Sequence, residues 1–179
     1  VYDAWETGYI PVNRAFAAAV LEEAKHSLNP PYIMLHDYHL YLAPGMIREA
    51  LPEAIIQHFL HIPWPDPSYW QMLPYFMRSA ICESLCASDI VGFQTARDVH
   101  SFLQSCEMFI DGAKVDHTRC IVNINGKETV ARHYPISIDV EELRSIANSQ
   151  RALEYEKKLR PLLGEKTIIR VDRIEPSKN

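Results

Sequence analysis

Three short runs rich in apolar residues, Tyr32–Leu35, Ala54–Ile62 and Asp89–Phe93, alternate along the chain with stretches whose apolar residues recur every three or four positions. A short apolar run suits a strand buried in a sheet, and a period near 3.6 suits a helix with one buried stripe. Strands alternating with helices imply βαβ units, whose crossovers bring successive strands into parallel pairing. The reading is an α/β fold: Rossmann-like, with a mostly parallel sheet and helices on both faces.

The first helix runs from Pro11 to His26, with Val12, Phe16, Ala19, Val20 and Ala24 on one stripe, and Asn29-Pro30-Pro31 stops it. Further helices are predicted around Pro44 to Ala50, from Ser68 to Leu73, from Phe76 to Ala87 and from Arg97 to Phe109. β-branched residues mark strands around Cys120 to Asn123 and Thr129 to Tyr134, with Asn125-Gly126 as the hairpin turn. Asp139 caps a helix beginning VEELRSIA, with Glu142 as its capping-box partner. A charged helix from Gln150 to about Arg160 follows, closed by Pro161 and Gly164, and Lys166 to Val171 reads as a last strand. The division expected is 1–150 as one domain and 151–179 as a connector helix plus the first strand of a second. A start at Val1 and an end inside a polar run read as a piece of a longer protein.

Function classes drop out on composition. Lys+Arg is 18 against 23 Asp+Glu, a net charge of −5, which leaves no global basic field for nucleic acid. No stretch approaches the roughly 20 uncharged apolar residues of a membrane span, and VYDAWETGYI has neither a basic n-region nor an apolar h-region. Cys82, Cys86, Cys106 and Cys120 form no CxxC pair, so they read as small buried hydrophobes in a reducing compartment, the cytoplasm. No GxGxxG or GxxxxGK is present, so the usual glycine-rich phosphate loops are absent.

In an open parallel sheet, ligands sit beyond the carboxyl ends of the strands. With the strands parallel, the polar residues gather at those ends. His36-Asp37-Tyr38-His39 follows the first run, His61 closes the second, Gln94-Thr95 follows the third and Arg173 follows the last. Each has a plainer alternative. Asp37 could cap the next helix, His61 could be a satisfied core histidine, and Arg173 with Lys178 could be a solvated pair. Trp5, Trp64 and Trp70 read as core or rim packing. A metal site from His36, His39, His58 and His61 is disfavoured, since His58 and His61 would point to opposite faces of a strand and no HExxH occurs. No GxSxG, no nucleophile–base pair and no second acid for Asp37 is visible. One carboxylate, imidazoles and a distal Arg/Lys pair remain, equipment for gripping polyols and phosphates, with no cofactor or metal called for.

In order and spacing, LHDYHLYLAPGMIRE, FLHIPWP, DIVGFQT, YPISID and VDRIEPSKN resemble the trehalose-6-phosphate synthase family of retaining glycosyltransferases. The resemblance covers essentially the whole chain. It implies a partial GT-B fold, two Rossmann-like domains facing across a cleft, of which this chain is most of the acceptor-side domain. It implies glucose transfer from a nucleotide sugar, commonly UDP-glucose, to glucose 6-phosphate, without a metal. Matched residue by residue, Asp37 is the acceptor-binding aspartate, Tyr38 an acceptor contact, His61 the histidine at the glucosyl reaction centre, and Arg173 and Lys178 the donor-phosphate pair. The partners implied are nucleotide sugar and sugar phosphate, with no nucleic acid or membrane and a homo-oligomer compatible with the full-length protein; the chain alone is expected to be inactive. HIPWP, YPISID and RIEPSKN depart from the commoner HIPFP, YPIGID and RLDYxKG, which leaves the donor base and the acceptor open. Another polyol phosphate such as glycerol 3-phosphate, a cyclitol-joining pseudo-glycosyltransferase, or a non-catalytic sugar-phosphate-binding domain stay as alternatives.

Overall fold

The computed structural model describes residues 1–27 and 29–174. Two compact units divide it, Val1–Ile136 and the part from Ser137 onward.

In the first unit, wide π-type turns at Ala4–Tyr9 lead into α1, Ile10–Ala24, with Pro11 in its first turn. Then follow β1 (Tyr32–His36), a 3₁₀ turn (Tyr38–Leu40), α2 (Ala43–Ala50), β2 (Ile55–Phe59), α3 (Pro67–Trp70), α4 (Tyr75–Leu85), β3 (Ile90–Phe93) and α5 (Ala96–Phe109). A meander of β4 (Lys114–Asp116), β5 (Ile121–Ile124) and β6 (Lys127–His133) completes the sheet. Its order is β1-β2-β3-β6-β5-β4. The first four strands in that order are parallel, and β5 is antiparallel to both neighbours. The α/β reading with a mostly parallel sheet is correct.

Alternation sets which side chains are buried. Ile33 and Leu35 of β1 and Ile56 of β2 pack with Ala17 of α1 and Ala43 and Ile47 of α2. Val91 and Phe93 of β3 join Leu85, Phe102, Leu103 and Phe109 of α4 and α5 in the larger core. Cys82, Cys86 and Cys106 are buried there as free thiols. Trp5 and Trp64 are buried in the same core, in line with the packing reading. Asn125 and Gly126, with φ of 51° and 90°, make the expected hairpin turn.

Boundaries shift where hydrogen bonding decides them. The second strand stops at Phe59, before His61, although Leu60 N still donates to Gly92 O at 2.9 Å. The prolines at 63 and 65 cannot continue a ladder. Strand β4, three residues long, carries too little pattern to be read from the sequence.

In the second unit, α6 (Val140–Ala147) and α7 (Gln150–Leu159) are followed by a 3₁₀ turn at Arg160–Leu162. Asp139 Oδ1 accepts from Glu142 N at 2.9 Å, one half of the expected capping box. Lys166–Val171 is not a strand. Its β-branched residues favour extended backbone, but a strand exists only with a ladder partner, and it has none among the described residues.

Candidate functional site

The parallel strands bring their carboxyl ends to one rim, and one of the three non-glycine residues with positive φ among the described residues lies there. Asp37, just past β1, has φ 66° and ψ 176°. A residue with a Cβ rarely holds that conformation unless its surroundings enforce it. The enforcement comes from both sides of the peptide. Asp37 N donates to Phe59 O at 2.8 Å, which extends the β1–β2 ladder by one residue. On the other side, the Asp37 carbonyl accepts from His58 Nε2 at 3.0 Å. A carbonyl can only accept, so Nε2 carries the His58 proton. Burial pushes the pKa of His58 down to about 4, only partly offset by that hydrogen bond, so the ring is neutral at pH 7.

Among the described residues the Asp37 carboxylate serves no hydrogen bond of the fold. Asp37 makes no side-chain cap to the turn it precedes, so the helix-cap reading fails. Its Oδ1 is buried and meets no hydrogen-bond donor among the described residues. A buried acceptor without a donor is costly to a fold. The same oxygen is a ready acceptor for ligand hydroxyls.

The following turn is clamped from α1. Tyr9 Oη donates to Tyr38 O at 2.5 Å and accepts from Tyr41 N at 3.2 Å. Burial pushes the Tyr9 hydroxyl up to about 12, so it stays a donor at any physiological pH. Asn13, wholly buried, donates through Nδ2 to His39 O at 3.0 Å. Its Oδ1 accepts from Leu42 N and Ala43 N at 3.0 and 3.1 Å, satisfying amides at the start of α2. Tyr38, half exposed, keeps its ring over His39 with centroids 3.9 Å apart.

His61 faces this turn from the next strand end. Its Nε2 lies 3.1 Å from His36 Nδ1, and the two rings stack at 5.3 Å. Phe59 meets the His61 ring edge-on at 4.9 Å. His61 is therefore an exposed ring on the rim and not a core histidine. Its loop is tied down by Asp98, whose Oδ1 accepts from Trp64 N at 3.0 Å. Asp98 Oδ2 accepts from Thr95 Oγ1 at 2.6 Å in the capping box that starts α5. Gln94, just past β3, accepts through Oε1 from Ile136 N at 3.0 Å. Between the Tyr38 turn and the His61 loop lies a cleft of about 440 Å³, walled by Tyr9, Tyr38, Tyr41, Ile62, Pro63 and Trp70.

Asp37, Tyr38 and His61 thus come together on the first unit. Arg173 belongs to the second unit, where its amide donates to Asp172 Oδ1 at 2.8 Å. Lys178 lies outside the described residues. Among the described residues, no group of three or more His, Cys, Asp or Glu is placed to hold a metal ion, and no helix is long and apolar enough to cross a membrane. The sequence reading passes over Tyr9 and Asn13 and weighs His58 only as a disfavoured metal ligand. The buried residues of α1 are Asn13 and Ala17, whereas Val12 and Phe16 of the predicted stripe are exposed; the four-residue step from Tyr9 to Asn13 is the available signal for the first two.

A model of Glycosyltransferase family 20 matches residues 1–179. The chain is similar to validamine 7-phosphate valienyltransferase of Streptomyces hygroscopicus subsp. jinggangensis, 35% identical over 123 residues, which are 69% of this chain and 24% of that protein. It is also similar to alpha,alpha-trehalose-phosphate synthase (UDP-forming) of Pichia angusta, 32% identical over 179 residues, 96% of this chain and 36% of that protein. Among solved structures, the alpha,alpha-trehalose-phosphate synthase (UDP-forming) from Burkholderia xenovorans in complex with glucose-6-phosphate matches with a TM-score of 0.68 and 25% identity, over 86% of this chain and 33% of that one. The chain spans about a quarter to a third of the length of these curated relatives.

Proposed function

The chain belongs to glycosyltransferase family 20, and from that premise we propose that the protein containing it is a retaining glucosyltransferase moving glucose from UDP-glucose to glucose 6-phosphate. The observation that carries the reading is the strained Asp37 at the end of β1, whose buried carboxylate oxygen meets no donor among the described residues. A fold keeps such a group where a ligand completes it. Sugar hydroxyls are suitable donors, and a carboxylate can accept from two of them.

In this reading Asp37 and Tyr38 hold the acceptor, and His61 stands at the transferring glucosyl unit. Arg173 and Lys178 hold the donor diphosphate and stabilise its charge as it leaves. The acceptor hydroxyl attacks the anomeric carbon from the face the diphosphate departs. The new C–O bond forms as the carbon–phosphate-oxygen bond breaks, and the hydroxyl proton passes to a diphosphate oxygen. No protein nucleophile is required, which accounts for the absence of a nucleophile–base pair in the sequence. The acceptor-side site lies in 1–150, and 151–179 leads into the donor-side domain.

A second reading follows from the likeness to a valienyltransferase acting on validamine 7-phosphate. The same Asp37 would grip a cyclitol phosphate, whose hydroxyls present similar donors. A product assay on the full-length protein separates the two. UDP-glucose with glucose 6-phosphate yields a disaccharide phosphate under the first reading, and only cyclitol substrates are coupled under the second.

A further inference from the structure

The imidazole pair at the strand ends has geometry that the glucosyl-transfer reading leaves unused. His36 is the last residue of β1 and pairs in register with Phe59 of β2. Its Nδ1 lies 3.1 Å from His61 Nε2. The ring planes are 28° apart, and Phe59 touches both rings, with centroids 6.4 Å from His36 and 4.9 Å from His61. Phe59 in turn rests on Gly92, where an added Cβ would come within 2.6 Å of Phe59 Cδ2. The pair is therefore packed on a fixed aromatic floor.

We propose that His36 is a positioning residue for the transfer reaction, fixing the tautomer and ring orientation of His61 so that His61 meets the transferring sugar through Nδ1. This rests on the glucosyl-transfer reading given above. A hydrogen bond between two imidazole nitrogens holds one proton: one ring donates it and the other accepts. His61 Nε2 is spent on that bond, so Nδ1 is the nitrogen left for substrate. In metal sites, a partner that sets a histidine's tautomer and orientation in this way is typically worth 10- to 100-fold in function. His36 reaches no further than the His61 ring in this role, so it acts through His61 and not on the sugar.

The test uses the full-length protein with UDP-glucose and glucose 6-phosphate. His36→Phe keeps a ring on Phe59 but removes the nitrogen. His36→Asn returns a polar group near the place of Nδ1. The expected result is a kcat lower by about 10- to 100-fold in His36→Phe, with KM for both substrates within twofold and an unchanged melting temperature. His36→Asn should recover most of kcat. A wild-type kcat in His36→Phe overturns the proposal, and so does a His36→Asn variant as slow as His36→Phe. Nitrogen-15 NMR of the unmodified protein tests the pair even if a variant does not fold. One His61 nitrogen should carry the proton and the other not, whereas averaged, equal protonation of the two overturns the proposal. Absence of glucosyl transfer by the wild type would count against the transfer reading itself, while the NMR result still decides the pairing.

Discussion

His58 Nε2 lies 3.0 Å from the carbonyl oxygen of Asp37, and this contact fixes the backbone that aims the carboxylate. The donating imidazole is buried and, at pH 7, neutral. The pKa of His58 is held near 4, against an ordinary value of 6.5, chiefly by burial. As pH falls, the unfolded chain takes up this proton before the folded one does. The contribution is complete above about 6.5 and is lost as pH falls toward 4. It amounts to roughly 3 kcal/mol at full depth. Urea unfolding between pH 7.5 and 4.5 should show stability falling through that window. His58→Phe should flatten the fall, and an equally steep fall in the variant would contradict the assignment.

Asp37 is held at φ 66°, a conformation natural to glycine. Asp37→Gly should therefore leave stability unchanged or raise it by about 1 kcal/mol, while transfer in the full-length protein is lost. Thermal melting checks the first half. A large drop in melting temperature would mean that the carboxylate serves the fold.

Gly92 gives Phe59 its place, because a methyl group there would sit 2.6 Å from the ring. Gly92→Ala should cost about 1–3 kcal/mol by overpacking and should push Phe59 into the His36–His61 pair. Calorimetry measures the first effect, and altered His61 ring resonances report the second.

Much of this was legible because two periodicities dominate the first unit. The apolar runs at 32–35 and 89–93 became β1 and β3 almost without change, and the hairpin at Asn125-Gly126 followed from its turn chemistry. Polar bursts at strand ends located Asp37, Tyr38 and His61 on one rim. What pattern could not carry was pairing. Lys166–Val171 has the composition of a strand but no ladder partner among the described residues. Nor could spacing reveal the supports of the site. His58 reads only as a disfavoured metal ligand in a strand until its ring is found on the Asp37 carbonyl. Thr95 and Asp98 form the capping box of α5, and Asp98 also reaches the Trp64 amide 34 residues away in sequence.

Asn13 is the other hidden support, tying α1 to the turn after Asp37 through His39 O, Leu42 N and Ala43 N. Asn13→Leu strands these buried groups and should cost on the order of 3 kcal/mol. Denaturant midpoints give the size of the loss. Hydrogen exchange at the Leu42 and Ala43 amides should rise more than at the core of α5, and uniform acceleration would contradict a local clamp.

The central claim is that Asp37 receives the hydroxyls of a phosphorylated sugar acceptor. Its most direct measurement is the steady-state rate of glucosyl transfer by the full-length protein and its Asp37→Ala variant, with product configuration determined by NMR. Loss of two hydrogen bonds to a charged acceptor, about 1.5–3 kcal/mol each, should lower kcat/KM for glucose 6-phosphate at least about 100-fold. The fold and UDP binding should be unaffected, and the wild-type product should retain the α configuration of the donor. A folded Asp37→Ala protein with wild-type kcat/KM would contradict the claim.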